Sequence, residues 1–196
     1  MVPMHSREAD HPPLSTEARE TLLRIAGESI RNGLQQGEPL QISASDFSDE
    51  LQQRRASFVT LNRGGNLRGC IGHLEAVLPL IEDVAENAFS AAFRDPRFPP
   101  LSDREMTDLE IHISVLTPAS PMDFESENDL LDKIRPGIDG LILEEGYHRG
   151  TFLPSVWESL PDAKSFLLHL KQKAGLPANH WSDKIKVSRY QTESFP

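Results

Sequence analysis

The stretch RASFVTLNRGGNLRGCIG, residues 55–72, predicts a β-hairpin. Its first half is rich in β-branched and aromatic residues, which favour strands. Gly64 and Gly65 separate the two halves and permit the positive φ angles that a two-residue turn needs. A hairpin set among helices, instead of strands that alternate strictly with helices, indicates an α+β fold whose sheet is mainly antiparallel.

Amphipathic segments on both sides of this hairpin predict helices. The first covers residues 14–34, with Ser15 or Thr16 as the N-cap and Gly33 as the stop. The remaining elements follow from apolar periodicity and turn residues. They are helices at residues 46–54, 79–95 and 161–177, strands at 108–118 and 184–192, and a second hairpin that turns at Glu145-Gly146.

Size and composition indicate one globular domain. The chain has 196 residues, of which 38% are hydrophobic and 26% charged. Residues 1–13 are polar, contain three prolines, and are expected to be flexible. We therefore expect a single domain over residues 14–196.

Charge and hydropathy argue against nucleic acid and membranes as partners. The formal net charge is −10, which argues against nucleic acid because phosphate backbones are repelled by an acidic surface. No run of apolar residues approaches the ~18 that would span a membrane. One cysteine and an N-terminus without an apolar signal core fit a cytoplasmic protein.

The only cysteine, Cys70, lies in the return strand of the hairpin. Alternate side chains of a regular strand share a face, which predicts Leu67 and Ile71 on one face and Arg68 and Cys70 on the other. A guanidinium near the sulfur favours the thiolate. This interpretation makes Cys70 a nucleophile or redox thiol and Arg68 its activator.

The glycines beside Cys70 allow two interpretations. Gly69 and Gly72 can leave room for a ligand to approach the strand. Alternatively, they serve a bulge or close packing, Arg68 pairs with a carboxylate, and Cys70 is a small buried residue. The residues alone leave both interpretations open.

The histidines provide no clear catalytic or metal site. His73 has the wrong strand parity to act as a base for Cys70 unless a bulge or turn intervenes. His112 and Ser114 share the polar face of their strand. This face can line a cleft or lie against solvent. None of the seven histidines has the spacing of a metal motif, so we expect no metal site, and the sequence points to no particular cofactor.

The loop DPRFPP, residues 95–100, follows the helix predicted at 79–95. Its prolines stiffen it, so that it can present Arg97 to an anionic ligand. It can equally be a rigid connector that is held by an Asp–Arg pair.

Taken together, these segments resemble the AMMECR-domain family, also called the AmmeMemoRadiSam system protein A family. The resemblance runs from about residue 14 to the C-terminus. It is carried, in order, by FVTLN, LRGCIG, DPRFPPL, ISVLTP, DGLIL, TFLPSVW, KAGL and RYQTE.

The resemblance implies a larger lobe with both chain ends, a smaller inserted lobe, and a hexapeptide LRGCIG near the cleft between them. It implies that Cys70 and Arg68 are candidate catalytic residues. His73 and His112 fall at variable positions of the family pattern. The residues that the resemblance implies for a ligand-binding cleft are Gly69, Gly72, Arg97, Ser114 and Lys173.

The family name implies partners that are Memo-like and radical SAM proteins. One hypothesis is a cysteine-dependent enzyme that acts on a small molecule or a partner protein in their pathway. The other is a non-catalytic binding or adaptor module that presents a ligand or peptide to those partners.

Overall fold

The hairpin at residues 55–72 forms as predicted, and the elements around it make an α+β fold. The computed structural model describes residues 12–196, so residues 1–11 of the predicted flexible segment 1–13 lie outside the described residues. The α-helices are α1 (Thr16–Gln36), α2 (Asp49–Gln52), α3 (Leu80–Phe93), α4 (Glu127–Lys133) and α5 (Ala163–Lys173). The strands are β1 (Ser57–Arg63), β2 (Asn66–Gly72), β3 (Leu109–Leu116), β4 (Ser120–Pro121), β5 (Gly140–Glu145), β6 (His148–Phe152), β7 (Lys186–Tyr190) and β8 (Thr192–Phe195).

The described chain divides into two units, 12–115 with 193–196, and 116–192. The first unit holds a four-stranded sheet in the order β2-β1-β3-β8. Its core side chains, among them Val59, Leu61 and Ile113, alternate along β1 and β3 and are buried with the apolar faces of α1 and α3. The alternating residues Thr60 and His112 lie on the opposite, outer face of the sheet.

Helix α1 begins where predicted but ends later. The Ser15 hydroxyl accepts a hydrogen bond from the N–H of Ala18, and the helix ends at Gly37, whose φ is +76°. The predicted stop at Gly33 was wrong, because this glycine lies inside the helix. A Cβ there would lie 2.3 Å from the Phe93 ring, so Gly33 allows α1 to pack closely on α3.

A β-bulge changes the predicted face assignment of β2. Leu61 pairs with Gly69 but Asn62 pairs with Leu67, which leaves Arg68 as the extra residue. The predicted shared face of Leu67 and Ile71 was therefore wrong. Ile71 packs on the core, whereas Leu67 is 44% exposed.

The second unit is built on a sheet in the order β4-β7-β5-β6. Its own core includes Trp157, whose ring stacks on Phe166 at a centroid distance of 3.7 Å. Asp162 caps α5 by accepting a hydrogen bond from the N–H of Ser165. Helix α4 has no counterpart among the predicted elements, although Ser126 caps it by accepting from the N–H of Asp129.

The strand predicted at residues 184–192 is two strands that belong to different sheets. β7 lies in the sheet of the second unit, and β8 lies in the sheet of the first. Between them, the carbonyl of Gln191 accepts from the N–H of Thr117 at 2.9 Å, and the N–H of Gln191 donates to the Thr117 hydroxyl at 2.9 Å. The entry and exit of the second unit are therefore hydrogen-bonded neighbours. None of the helices within residues 12–196 combines the length and the apolar character needed to cross a bilayer.

Candidate functional site

The carboxylate of Asp95 joins the hexapeptide to the proline-rich loop. Asp95 is 4% exposed, and its Oδ2 accepts the backbone N–H of Cys70 at 2.9 Å. Arg97 donates from Nε to Oδ1 at 2.9 Å and from Nη2 to Oδ2 at 2.7 Å. The hydrogen bonds from Arg97 are the main reason why the pKa of Asp95 lies well below its usual value.

The guanidinium of Arg97 is consequently held beside Cys70. Its Nη2 also donates to the Cys70 carbonyl at 3.3 Å. The pKa of Arg97 is raised, chiefly by its hydrogen bond to Asp95 and in smaller part by the charge interaction with Cys70. The Arg97 side chain remains 53% exposed, so the same cation is open to a ligand. The Asp–Arg pair of the connector interpretation is present, and the role of Arg97 as an anion anchor stays a prediction.

The thiol of Cys70 lies on the outer face of the first sheet. It is half-buried, and its Sγ lies 3.1 Å from the hydroxyl oxygen of Thr60. Thr60 is opposite Cys70 on one side and opposite His112 on the other. Sequence reasoning missed Thr60, since the bulge moves the register of β2 by one residue and simple counting from the turn does not pair these two positions.

Arg68 lies in a different environment from the thiol. Its Nε donates to Glu105 at 2.7 Å, and its Nη2 donates to the Pro99 carbonyl at 2.9 Å and to Glu105 at 3.3 Å. Its Nη1 is buried with no hydrogen-bond partner among the described residues. Chiefly through the hydrogen bond from Arg68, the pKa of Glu105 falls to about 2. The structure therefore gives Arg68 a carboxylate partner, which was the alternative considered for it, and Arg97 is the cation beside Cys70.

The space next to the two glycines of the hexapeptide is filled by the protein itself. A Cβ at Gly69 would lie 2.1 Å from the carbonyl oxygen of Ala91 in α3. A Cβ at Gly72 would lie 2.4 Å from the ring of Phe58 and from the Ser57 carbonyl. Both glycines thus permit close packing of β2 on its neighbours.

Two further predicted site residues lie in different units. Ser114 shares the outer face of the first sheet with Cys70, and its hydroxyl is 2.8 Å from that of Ser194. Lys173 is the last residue of α5 in the second unit, and its Nζ lies 5.0 Å from the centroid of the Phe152 ring. A common cleft for Ser114 and Lys173 stays a prediction.

The imidazole of His73 is directed away from the thiol, towards α3. Its Nδ1 lies 2.6 Å from Oδ1 of Asp83, which is 1% exposed. The other oxygen of Asp83 accepts from the N–H and the hydroxyl of Ser57. Burial is the main cause of the raised pKa of Asp83. Strand parity thus separates His73 from Cys70. Nothing in the local sequence marks Asp83 as the partner of His73.

Among residues 12–196, no three His, Cys, Asp or Glu side chains are grouped so that they could hold a metal ion. The first unit instead holds a thiol with the Thr60 hydroxyl beside it and a fixed guanidinium, that of Arg97, at the Cys70 backbone. This arrangement suits a nucleophilic thiol with an anion-binding residue at its side.

Comparisons with known proteins identify relatives over almost the whole chain. A family model described as AMMECR1 matches residues 23–195. A protein of Methanothermobacter thermautotrophicus is 44% identical over 191 residues, which cover 94% of this chain and 97% of that protein. A protein of Methanocaldococcus jannaschii is 38% identical, with 79% of each chain covered. The crystal structure of the uncharacterized protein PH0010 from Pyrococcus horikoshii matches with a TM-score of 0.81 and 37% identity, over 89% of each chain.

Proposed function

The chain belongs to the AMMECR1 family, and from this premise we propose that it is a cysteine-dependent enzyme. In the proposed reaction the thiolate of Cys70 forms a bond to an electrophilic carbon of a small molecule or of a partner protein, and the leaving group on that carbon departs with the electron pair of the broken bond. Arg97 binds an anionic group of the substrate. The observation that supports this proposal is the double role of Asp95, which binds both the backbone of Cys70 and the guanidinium of Arg97.

The guanidinium of Arg97 is held in a fixed orientation, which suits it to bind an anionic substrate group. Two hydrogen bonds to one buried carboxylate fix the guanidinium plane before a substrate arrives. Its Nη1 makes no hydrogen bond within the described residues, so this edge is available to a carboxylate or phosphate group.

Alkylation with two matched reagents tests the proposal. Iodoacetate is anionic and iodoacetamide is neutral, and both alkylate the thiolate. We expect Cys70 to prefer iodoacetate by about fivefold relative to the preference of free cysteine, because Arg97 attracts the carboxylate. Arg97→Met should remove this preference by slowing the reaction with iodoacetate, whereas Arg97→Lys should keep part of it. The rates are measured by mass spectrometry of the intact protein.

Arg94→Met is the matched control for this experiment. Arg94 is also a cation near the end of α3, but it is paired with Glu86 and its guanidinium carbon lies 4.7 Å from the Phe89 ring centroid. Its removal should leave the reagent preference unchanged. An equal preference in the unmodified protein and in Arg97→Met would contradict the proposed role of Arg97.

A non-catalytic binding or adaptor module is the second candidate function. It is favoured by the surroundings of the thiol. Among the described residues, the Thr60 side chain alone is hydrogen-bonded to Sγ, so no imidazole or carboxylate contacts the sulfur as a base. In this case Cys70→Ser should leave binding intact while alkylation chemistry is lost. We propose Memo-like and radical SAM proteins in the cytoplasm as the partners for either function, on the basis of the family resemblance.

A further inference from the structure

The second unit contains a cavity of about 680 Å³, between the segment that follows β4 and the segment that leads into β7. This volume lies within the range of roughly 300–1,000 Å³ that is typical of small-molecule sites. It is lined by the aromatic residues Phe124 and Trp181 and by the buried apolar residues Met122, Ile185 and Val187. Each of these residues belongs to the second unit, so the cavity does not depend on Cys70.

The indole of Trp181 is held firmly as one wall of this cavity. Its two chain neighbours both bind the same carboxylate: His180 Nε2 lies 2.6 Å from Glu145 Oε2, and the Ser182 hydroxyl donates to Oε1. The ring centroid of Phe124 is 5.7 Å from that of Trp181. A wall that is fixed in advance lowers the entropic cost of ligand binding.

A buried ammonium group lies near the same indole. Lys171 is 1% exposed, and its Nζ is 2.5 Å from Oε1 of Glu127 and 5.5 Å from the centroid of the Trp181 ring. This ion pair and the aromatic contact anchor Trp181 to α5 and α4. The position of the ring is therefore set by contacts from several elements of the unit.

The charged groups at the cavity are predominantly acidic. Three of its carboxylates, those of Asp123, Glu125 and Asp183, have no ion-pair partner among the described residues. The cavity has two lysines, of which one is paired with a carboxylate. Lys133 donates to Asp129 at 2.9 Å, whereas Lys186 has no ion pair among the described residues, since Glu144 opposite it pairs with Arg149. The unpaired carboxylates therefore outnumber the unpaired ammonium groups.

We propose that this cavity binds a small organic cation, an amine carried on a flat apolar body. The apolar body lies against Trp181 and Phe124, and the ammonium group lies beside the unpaired carboxylates at the rim. An aralkylamine is the simplest ligand of this class. An anion of the same shape is disfavoured by the same carboxylates.

Indole N–H signals in ¹⁵N NMR spectra provide a direct test with an internal control. The two tryptophans of the chain both lie in this unit. Trp157 is 4% exposed, and its Nε1 donates to the Asp139 carbonyl at 2.7 Å, so its signal should stay in place. Phenethylamine should shift the Trp181 signal saturably, whereas 3-phenylpropanoate should not. Trp181→Phe assigns the two signals.

Exposed charge variants test the role of the rim carboxylates. The double variant Asp183→Asn with Glu125→Gln should weaken phenethylamine binding about fivefold, as expected for the loss of two partly screened charges. Glu158→Gln removes an exposed carboxylate of the same unit outside the cavity and should have no effect. The proposal is overturned if phenethylamine moves neither indole signal or both, or if 3-phenylpropanoate binds equally well. Cys70 alkylation in the same sample reports separately on the proposed enzyme.

Discussion

Asp95 shows how one buried carboxylate can organise a candidate site. It is the shared hydrogen-bond acceptor for the Cys70 backbone and Arg97, and it holds a cation at the hexapeptide that neither motif would place there alone. Arg68 has a comparable relation to Glu105, but this pair supports the loop and not the thiol. The two arginines of the motifs thus have separate roles, and both depend on ionised acids.

Acid should weaken the fold through these two carboxylates. The pKa of Asp95 and that of Glu105 are lowered in the folded chain, chiefly by Arg97 and Arg68, and Glu105 falls from an ordinary 4.5 to about 2. The unfolded chain therefore binds protons at higher pH than the folded chain. The stability that Glu105 provides is complete above about pH 4.5 and is lost as the pH falls towards 2.

The measurement is the free energy of unfolding in urea between pH 6 and pH 2.5. Glu105→Gln should flatten the acid limb of this profile, since Gln has no carboxyl proton to bind. The pKa of Asp83 is raised by burial, so the folded chain binds this proton before the unfolded chain does, and Asp83 adds stability as the pH falls. Asp83→Asn removes this contribution and should make the acid limb of the profile steeper. An unchanged slope in Glu105→Gln would exclude Glu105 as a source of the acid sensitivity.

At the scale of elements, β2 is shaped by its contact with α3. Gly69 brings the strand against the carbonyl of Ala91, and the bulge at Arg68 turns Leu67 out of the core while Cys70 stays opposite Thr60. The position of the thiol on the outer face is thus a consequence of backbone packing. This packing involves the same glycines that the sequence suggested for ligand approach.

We expect Gly69→Ala to destabilise the fold by about 2 kcal/mol, because an added Cβ would lie 2.1 Å from a backbone oxygen that has little freedom to move. Gly27→Ala in α1 is the matched control. Its added Cβ would meet side-chain atoms at the ordinary distance of 3.6 Å, and alanine favours a helix, so stability should rise by about 0.5–1 kcal/mol. Urea unfolding measures both changes, and equal effects of the two variants would contradict the role given to Gly69.

Much of the element pattern could be predicted because it depends on local rules. Gly64 and Gly65 adopt φ angles of 55° and 77°, and Ser15 caps α1, as short-range sequence signals indicate. The bulge could not be predicted, since it depends on how β2 meets α3. For the same reason the side-chain partners of Arg68 and Cys70 were not evident from parity. The link between Cys70 and Arg97 also required the tertiary fold, because 27 residues separate the two.

For the whole molecule, the main feature is that each unit has its own hydrophobic core. The apolar residues of the first unit form one cluster, and those of 116–192 form another. Both tryptophans belong to the second unit, so their fluorescence follows that unit, while far-UV circular dichroism follows both. The two signals can therefore report on the units separately.

We expect the two units to unfold as separate transitions. Leu22→Ala, at a fully buried position in α1, should destabilise the first unit by about 3 kcal/mol. The part of the circular dichroism change that comes from the first unit should move to lower urea. The tryptophan fluorescence transition should keep its midpoint. Movement of both signals together would show instead that the units unfold as one.

The hydrogen bonds between Thr117 and Gln191 have a consequence for the history of the chain. Residues 116–192 leave and rejoin the first sheet at neighbouring points, as an inserted module does. Such a segment can be lengthened, replaced or lost by recombination without a change in the order of the strands that surround it. Selection can therefore act on the aromatic cavity and on the thiol independently, so that relatives of one scaffold can diverge in one of them and retain the other.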